Sequence, residues 1–380
     1  MSYMEPRLCH RVTRKRWQAT EDIPMAQLAT AAVSTPTPTQ YALGLVNTRP
    51  DSAHASIGLA LGWDFAHHGL TPPVEHLFAC SPLRQGWHVG AATYGHRTLP
   101  VRRHTQQWLL LRTHAWSRGR SFEGVQLTPN YLQQIDVTHC PITRQPLKQL
   151  RGDPAERSID RVRDDAGYAA GNLVVMSRAA NAAKAQHDFV SASQTARRMD
   201  GGPAPQIGIL GPLEWQRIAV LASFVTELPH ADAASIPLVV LPPNRLRLFN
   251  PIQALQALVT LQFATAGWSQ RLARIEALLP NDASRGDFNR FLLAMAPRAL
   301  TLKPSQARQE IKWALEDAWA QPLLQKRWAR FAHRLTSAQA ENLVQRTAAC
   351  RLSTSHVQTH DSAAATDGWA LDQQGFSSTQ

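Results

Sequence analysis

Between residues 140 and 184 the chain gathers side chains able to hold a hard cation beside a phosphodiester. Asp160 offers a carboxylate and Asn181 an amide oxygen. Magnesium-like ions prefer oxygen ligands and keep several waters, so these two groups plus a substrate phosphate would make a sufficient site. Lys184 follows Asn181 by three positions, on the same face of a helix, where its ammonium could meet a phosphate as a point charge.

The surrounding residues say which elements must position these groups. From Arg157 to Val162, apolar Ile159 and Val162 stand among polar neighbours, which predicts a short strand from which Asp160 projects. Asp164-Asp165-Ala166-Gly167 is a turn signal, because aspartates bond their own backbone and glycine tolerates positive φ. Gly171-Asn172 makes a second break before a second strand, Leu173-Val174-Val175-Met176. Ser177 can cap a helix through Arg178 to Lys184, whose alanines favour helix, and Asn181 falls one turn inside it.

Taken in order, Ser158-Ile159-Asp160-Arg161-Val162, Gly167-Tyr168, Gly171-Asn172-Leu173-Val174-Val175, Asn181 and Lys184 resemble the HNH endonuclease family, small ββα-metal nucleases. The resemblance covers residues 128–187 and has one departure, Arg161 where the family usually has histidine. It implies metal-dependent hydrolysis of phosphodiester bonds in DNA, with Mg2+ (or Mn2+) held by Asp160 and Asn181. Asn172 corresponds to the asparagine that fixes the family's loop, and Cys140-Pro141-Ile142-Thr143-Arg144-Gln145-Pro146-Leu147 matches its first hairpin. Arginine stays protonated, so Arg161 cannot be the general base; it could clamp the scissile phosphate together with Lys184. His139, at the start of the first hairpin and expected to face the Asp160 strand, is the first candidate base, and His187 the second. Two rivals come from other classes. One is a catalytically inactive nucleic-acid-binding protein that keeps the module as a scaffold; the other is a helical interaction or regulatory protein with incidental basic charge.

Composition narrows the setting. The chain has 380 residues, 44% of them hydrophobic, with a formal charge of +12. A basic surface attracts polyanions, nucleic acid among them, and the larger share of the excess lies in the half that contains the motif. Cys9, Cys80, Cys140 and Cys350 form no Cys-x-x-Cys pair, which removes a zinc knuckle and suggests a reducing, cytoplasmic location. Cys140 reads as a buried small hydrophobe. No run approaches membrane-spanning length.

The fold class expected is α+β, mainly α: a ββα module in the middle of the chain followed by an all-helical domain. Residues 1–40 read as irregular, ending in the linker-like Ser34-Thr35-Pro36-Thr37-Pro38-Thr39. Residues 41–127 form a mixed region in which His67 and His68 are structural, and Thr105 to Arg118 is a helix. Its Trp108 and Trp116 suit a core, whereas Arg102, Arg103, Arg118 and Arg120 suit DNA. Thr128-Pro129 opens another helix, Asn130 to Ile135. Residues 188–212 read as a linker around Asp200-Gly201-Gly202-Pro203-Ala204-Pro205, residues 213–350 as a helical domain with an unidentified partner, and residues 351–380 as a disordered tail. Arg327, Arg330 and Arg334 recur at helical spacing, as a basic ridge or a solvated face.

Overall fold

The computed structural model of the protein describes residues 53–200, 210–302, 306–352 and 362–377. The expectations for residues 1–40, and the glycines and prolines between 201 and 205, lie outside these. The described part is mainly helical with one small antiparallel sheet.

Glycine spacing sets the first contact. Helix α1 (Ala53–His67) packs so closely on α2 (Pro82–Tyr94) that a Cβ on Gly62 would stand 2.0 Å from the Leu83 carbonyl oxygen. His67 stacks on Tyr94 with ring centroids 4.1 Å apart, a structural place for one of the paired histidines. Helix α3 (Arg103–Ser117) serves two cores. Leu109 and Trp116 join Leu61, Phe65 and Leu83 of the α1–α2 pair, while Leu111 and Ala115 face α4 (Pro129–Ile135) and the sheet. Trp108 is partly buried against both and donates through Nε1 to the Leu127 carbonyl at 2.7 Å. Thr128 caps α4 by accepting the Tyr131 amide.

The sheet consists of β1 (Arg157–Arg161) and β2 (Leu173–Ser177), antiparallel, with Asp160 opposite Val174. Ser177 then accepts the Ala180 amide at 3.2 Å and starts α5 (Arg178–Lys184), the capped helix expected from the sequence. The preceding turn also forms, with the Cys140 amide donating to Gln145 and the Leu147 amide to Thr138.

After α5 the chain continues as α6 (Phe189–Asp200), a helix inside the segment read as linker. Then follow α7 (Pro212–Ser223), α8 (His230–Ser235), α9 (Pro251–Gln262), α10 (Trp268–Glu276), α11 (Asp282–Leu300), α12 (Arg308–Ala318), α13 (Pro322–Ala332) and α14 (Ser337–Ala349). This half is helical, as its periodicity indicates. It is not separately packed: Cys140, Ile142, Val162, Val174 and Met176 share one continuous apolar core with Trp215, Ile218 and Leu221 of α7. Arg217, almost fully buried, donates to the Ile142 carbonyl at 2.8 Å, and Arg144 pairs with Glu316 at 2.9 Å.

The end of the chain departs from the expectation of a disordered tail. Residues 362–377 are docked on the sheet unit: Trp369 is fully buried, its Nε1 donates to the Ala170 carbonyl at 3.1 Å, and its own carbonyl accepts the Gly167 amide at 2.7 Å. Polar composition misled here because one indole, with backbone hydrogen bonds on both sides, supplies the burial that the serines and glutamines lack. Among the described residues no helix is long and apolar enough to cross a membrane.

Candidate nucleic-acid interface

Asn172 holds the β1–β2 loop. It is fully buried; its Oδ1 accepts the Arg163 amide at 2.9 Å, and its Nδ2 donates to the Arg163 carbonyl at 3.0 Å and the Gly167 carbonyl at 3.2 Å. Replacing it with alanine leaves these buried backbone groups unsatisfied. The Asn172→Ala protein is expected to lose about 2–3 kcal/mol of stability, seen as a lower urea midpoint at unchanged m-value.

Asp160 is the next-to-last residue of β1 and is almost fully buried. Its side chain is 9% exposed, and Lys184 Nζ lies 3.0 Å from Oδ2 with the lysine side chain 0% exposed. Lys184 Nζ also donates to the Arg161 carbonyl at 2.9 Å, and apart from this ion pair no partner reaches Asp160 Oδ2 among the described residues. Burial pushes the Asp160 carboxyl above its ordinary value, against the opposing pull of Lys184. Lys184 therefore does not reach out to a phosphate. On so short a helix, the position three beyond Asn181 turns under β1, and the long alkyl stem carries the charge inward.

Arg161 is likewise engaged. Its guanidinium donates to the carbonyls of Asp164 and Ala166 at 3.1 and 2.9 Å and to Asp164 Oδ1 at 2.6 Å, over the Tyr168 ring. These bonds fold it back across the turn as a staple, so it is not free to clamp a phosphate. Asn181 is half-buried, and its Nδ2 donates to Ser158 Oγ at 2.8 Å.

Above these residues opens a cleft of about 790 Å³, lined by His114, Arg118, Arg120, Ser158, Asp160 and Asn181 among others. Neither sequence-derived base lines it. His139 sits edge-on against Trp313, ring centroids 5.2 Å apart, with Nδ1 2.9 Å from Thr138 Oγ1; His187 packs edge-on against Trp215 at 5.0 Å. The histidine that does face the cleft is His114, four residues before Arg118 at the end of α3. Its helical spacing from Arg118 was the available signal, but only the tertiary fold brings it and Asp160 to the lining of one cleft. Desolvation by the cleft walls, then Arg118, Arg161 and His76, hold the His114 imidazole below its ordinary value. Arg118 is exposed at the rim and makes no ion pair among the described residues, whereas Arg120 lies over Phe376 and near Asp164.

The donor set fits a divalent ion poorly. The single carboxylate of the proposed pair already faces a buried ammonium at 3.0 Å, and a second cation there would add like-charge repulsion at low dielectric. The Asn181 amide is oriented by Ser158. Among the described residues no three or more His, Cys, Asp and Glu side chains converge as a cation site. Compared with family models, curated proteins and solved structures, the chain shows no significant match.

Proposed function

We propose that this protein binds nucleic acid through the cleft over β1 and α5 and does not cut it, as a silent relative of the HNH endonucleases it resembles. The observation that carries the reading is the buried Lys184 beside Asp160: an internal ammonium stands where the resemblance would put a metal ion. The module is thereby kept as a rigid scaffold, with Asn172 and Arg161 fixing its loop from within. Arg118 and His114 are left at the opening, where phosphates can approach. The basic balance of the chain supplies the long-range attraction.

The test pairs two assays on the full chain. Fluorescence anisotropy with a 30-base-pair duplex and a 30-nucleotide single strand should show salt-sensitive binding, weakened in Arg118→Gln. Supercoiled plasmid with Mg2+ or Mn2+ should stay intact. Nicking that EDTA stops and Asp160→Asn abolishes would overturn the silent reading in favour of a nuclease.

His114 adds a pH dependence. A bound phosphate favours the imidazolium, so its pKa rises on binding, and affinity should grow as pH falls from the bound protein's value toward the free protein's lowered one. The expected gain is about fivefold at most, the size of a solvent-screened charge pair. His114→Gln should flatten this part of the profile; an unchanged profile in that variant would exclude His114 from the interface.

A further inference from the structure

Far along the chain from the cleft, Asp287 of α11 is 1% exposed, and three arginines converge on it. Arg290 Nη1 is 2.5 Å from Oδ1, Arg330 Nε is 2.9 Å from Oδ1, and Arg334 Nε bonds Oδ2. Arg327 joins from α13 by donating to the Arg290 carbonyl at 2.8 Å. One guanidinium would neutralise the carboxylate. Three leave a surplus of positive charge, and no other carboxylate pairs with Arg290, Arg330 or Arg334 among the described residues.

The geometry is that of a held anion receptor. Arg334 donates Nε to Asp287 and Arg330 Nε lies 2.9 Å from it, and among the described residues no hydrogen bond takes up the terminal amino groups of either; the side chains of Arg330 and Arg334 are 61% and 41% exposed, and that of Arg290 is 58% exposed. Because the buried carboxylate restrains their rotamers, less ordering cost remains to be met on binding. Burial raises the Asp287 pKa, but Arg334, Arg290 and Arg330 outweigh it and hold it below its ordinary value, so the anchor stays ionised. Arg327 and Arg330 stand one turn apart on α13, and Arg334 follows in the turn after its C-terminus, held to the same carboxylate as Arg330.

We propose that Arg290, Arg327, Arg330 and Arg334 form a second polyanion site, anchored on Asp287, that takes the sugar-phosphate backbone of nucleic acid. The choice of partner rests on the nucleic-acid reading of the cleft. The preorganised guanidinium cluster does not.

The experiment uses the full chain and the same 30-base-pair duplex across 50–300 mM salt. In Arg327→Gln/Arg330→Gln the anchor keeps Arg290 and Arg334, and the slope of log affinity against log salt should become shallower by about 1.8. Arg330→Gln alone should give roughly half of that, at unchanged melting temperature. An unchanged slope in the double variant, with Arg118→Gln weakened, would overturn the ridge and leave the cleft standing. A shallower slope with Arg118→Gln unaffected would leave the ridge standing and remove the cleft. Wild-type protein that does not bind the duplex, or that binds poly-glutamate equally well, would overturn the phosphate assignment itself.

Discussion

Replacing Lys184 with methionine should destabilise the protein by about 3–5 kcal/mol, the cost of stranding one partner of a buried ion pair. The reason is local: the ammonium is fully buried against Asp160 at 3.0 Å and the Arg161 carbonyl at 2.9 Å, so its loss leaves a desolvated carboxylate and an unmatched carbonyl. Urea denaturation gives the number from the midpoint and slope. The paired change Asp160→Asn/Lys184→Met should recover a large part of the loss, because replacing both members of such a pair can be nearly neutral. A solvated lysine waiting for a phosphate would behave otherwise. Its removal would change stability by no more than about 0.5 kcal/mol, and that result would sink the scaffold reading along with the pair.

Trp369→Ala should cost about 3–5 kcal/mol, as for other fully buried large aromatics. The indole is 0% exposed, lies 5.4 Å from the Phe249 ring, and donates to Ala170 beside the loop that Asn172 holds. Its segment is tied down further by Arg247, whose Nη1 donates to the carbonyls of Ala364 and Ala365, both at 3.0 Å, and by the Ser121 amide donating to Gly375. A calorimetric or urea midpoint reads the loss, and limited chymotrypsin digestion, which can cut after Leu371 and Phe376, reads where it occurs. The variant should be cut in the docked terminus before the rest of the chain unfolds. Because Phe376 lines the cleft, loosening this segment should also alter duplex affinity. A variant within about 0.5 kcal/mol of wild type would mean that the terminus contributes nothing to the fold.

The local elements were legible from residue order alone. Alternation around Ile159, the Asp-Asp-Ala-Gly turn, and the Ser177 cap before an alanine-rich run give β1, the loop and α5 where the structure has them, because each depends on neighbours a few residues apart. The loop role of Asn172 came from the resemblance, and the structure has its side chain bonded within that loop. The helical character of the second half followed from apolar periodicity. What one residue type does in a site was decided by tertiary packing. The same spacing that puts Lys184 one turn beyond Asn181 allows its amine to point at solvent or at Asp160, and only the packing of α5 beneath β1 selects the second. Arg161 turns back on its loop, His139 is taken by Trp313, and His114 enters the cleft from a helix more than 40 residues upstream of β1. Burial and long-range pairing depend on which surfaces meet. No local pattern encodes that, and it is why Trp369 could look like part of a polar tail while closing the core of the sheet unit.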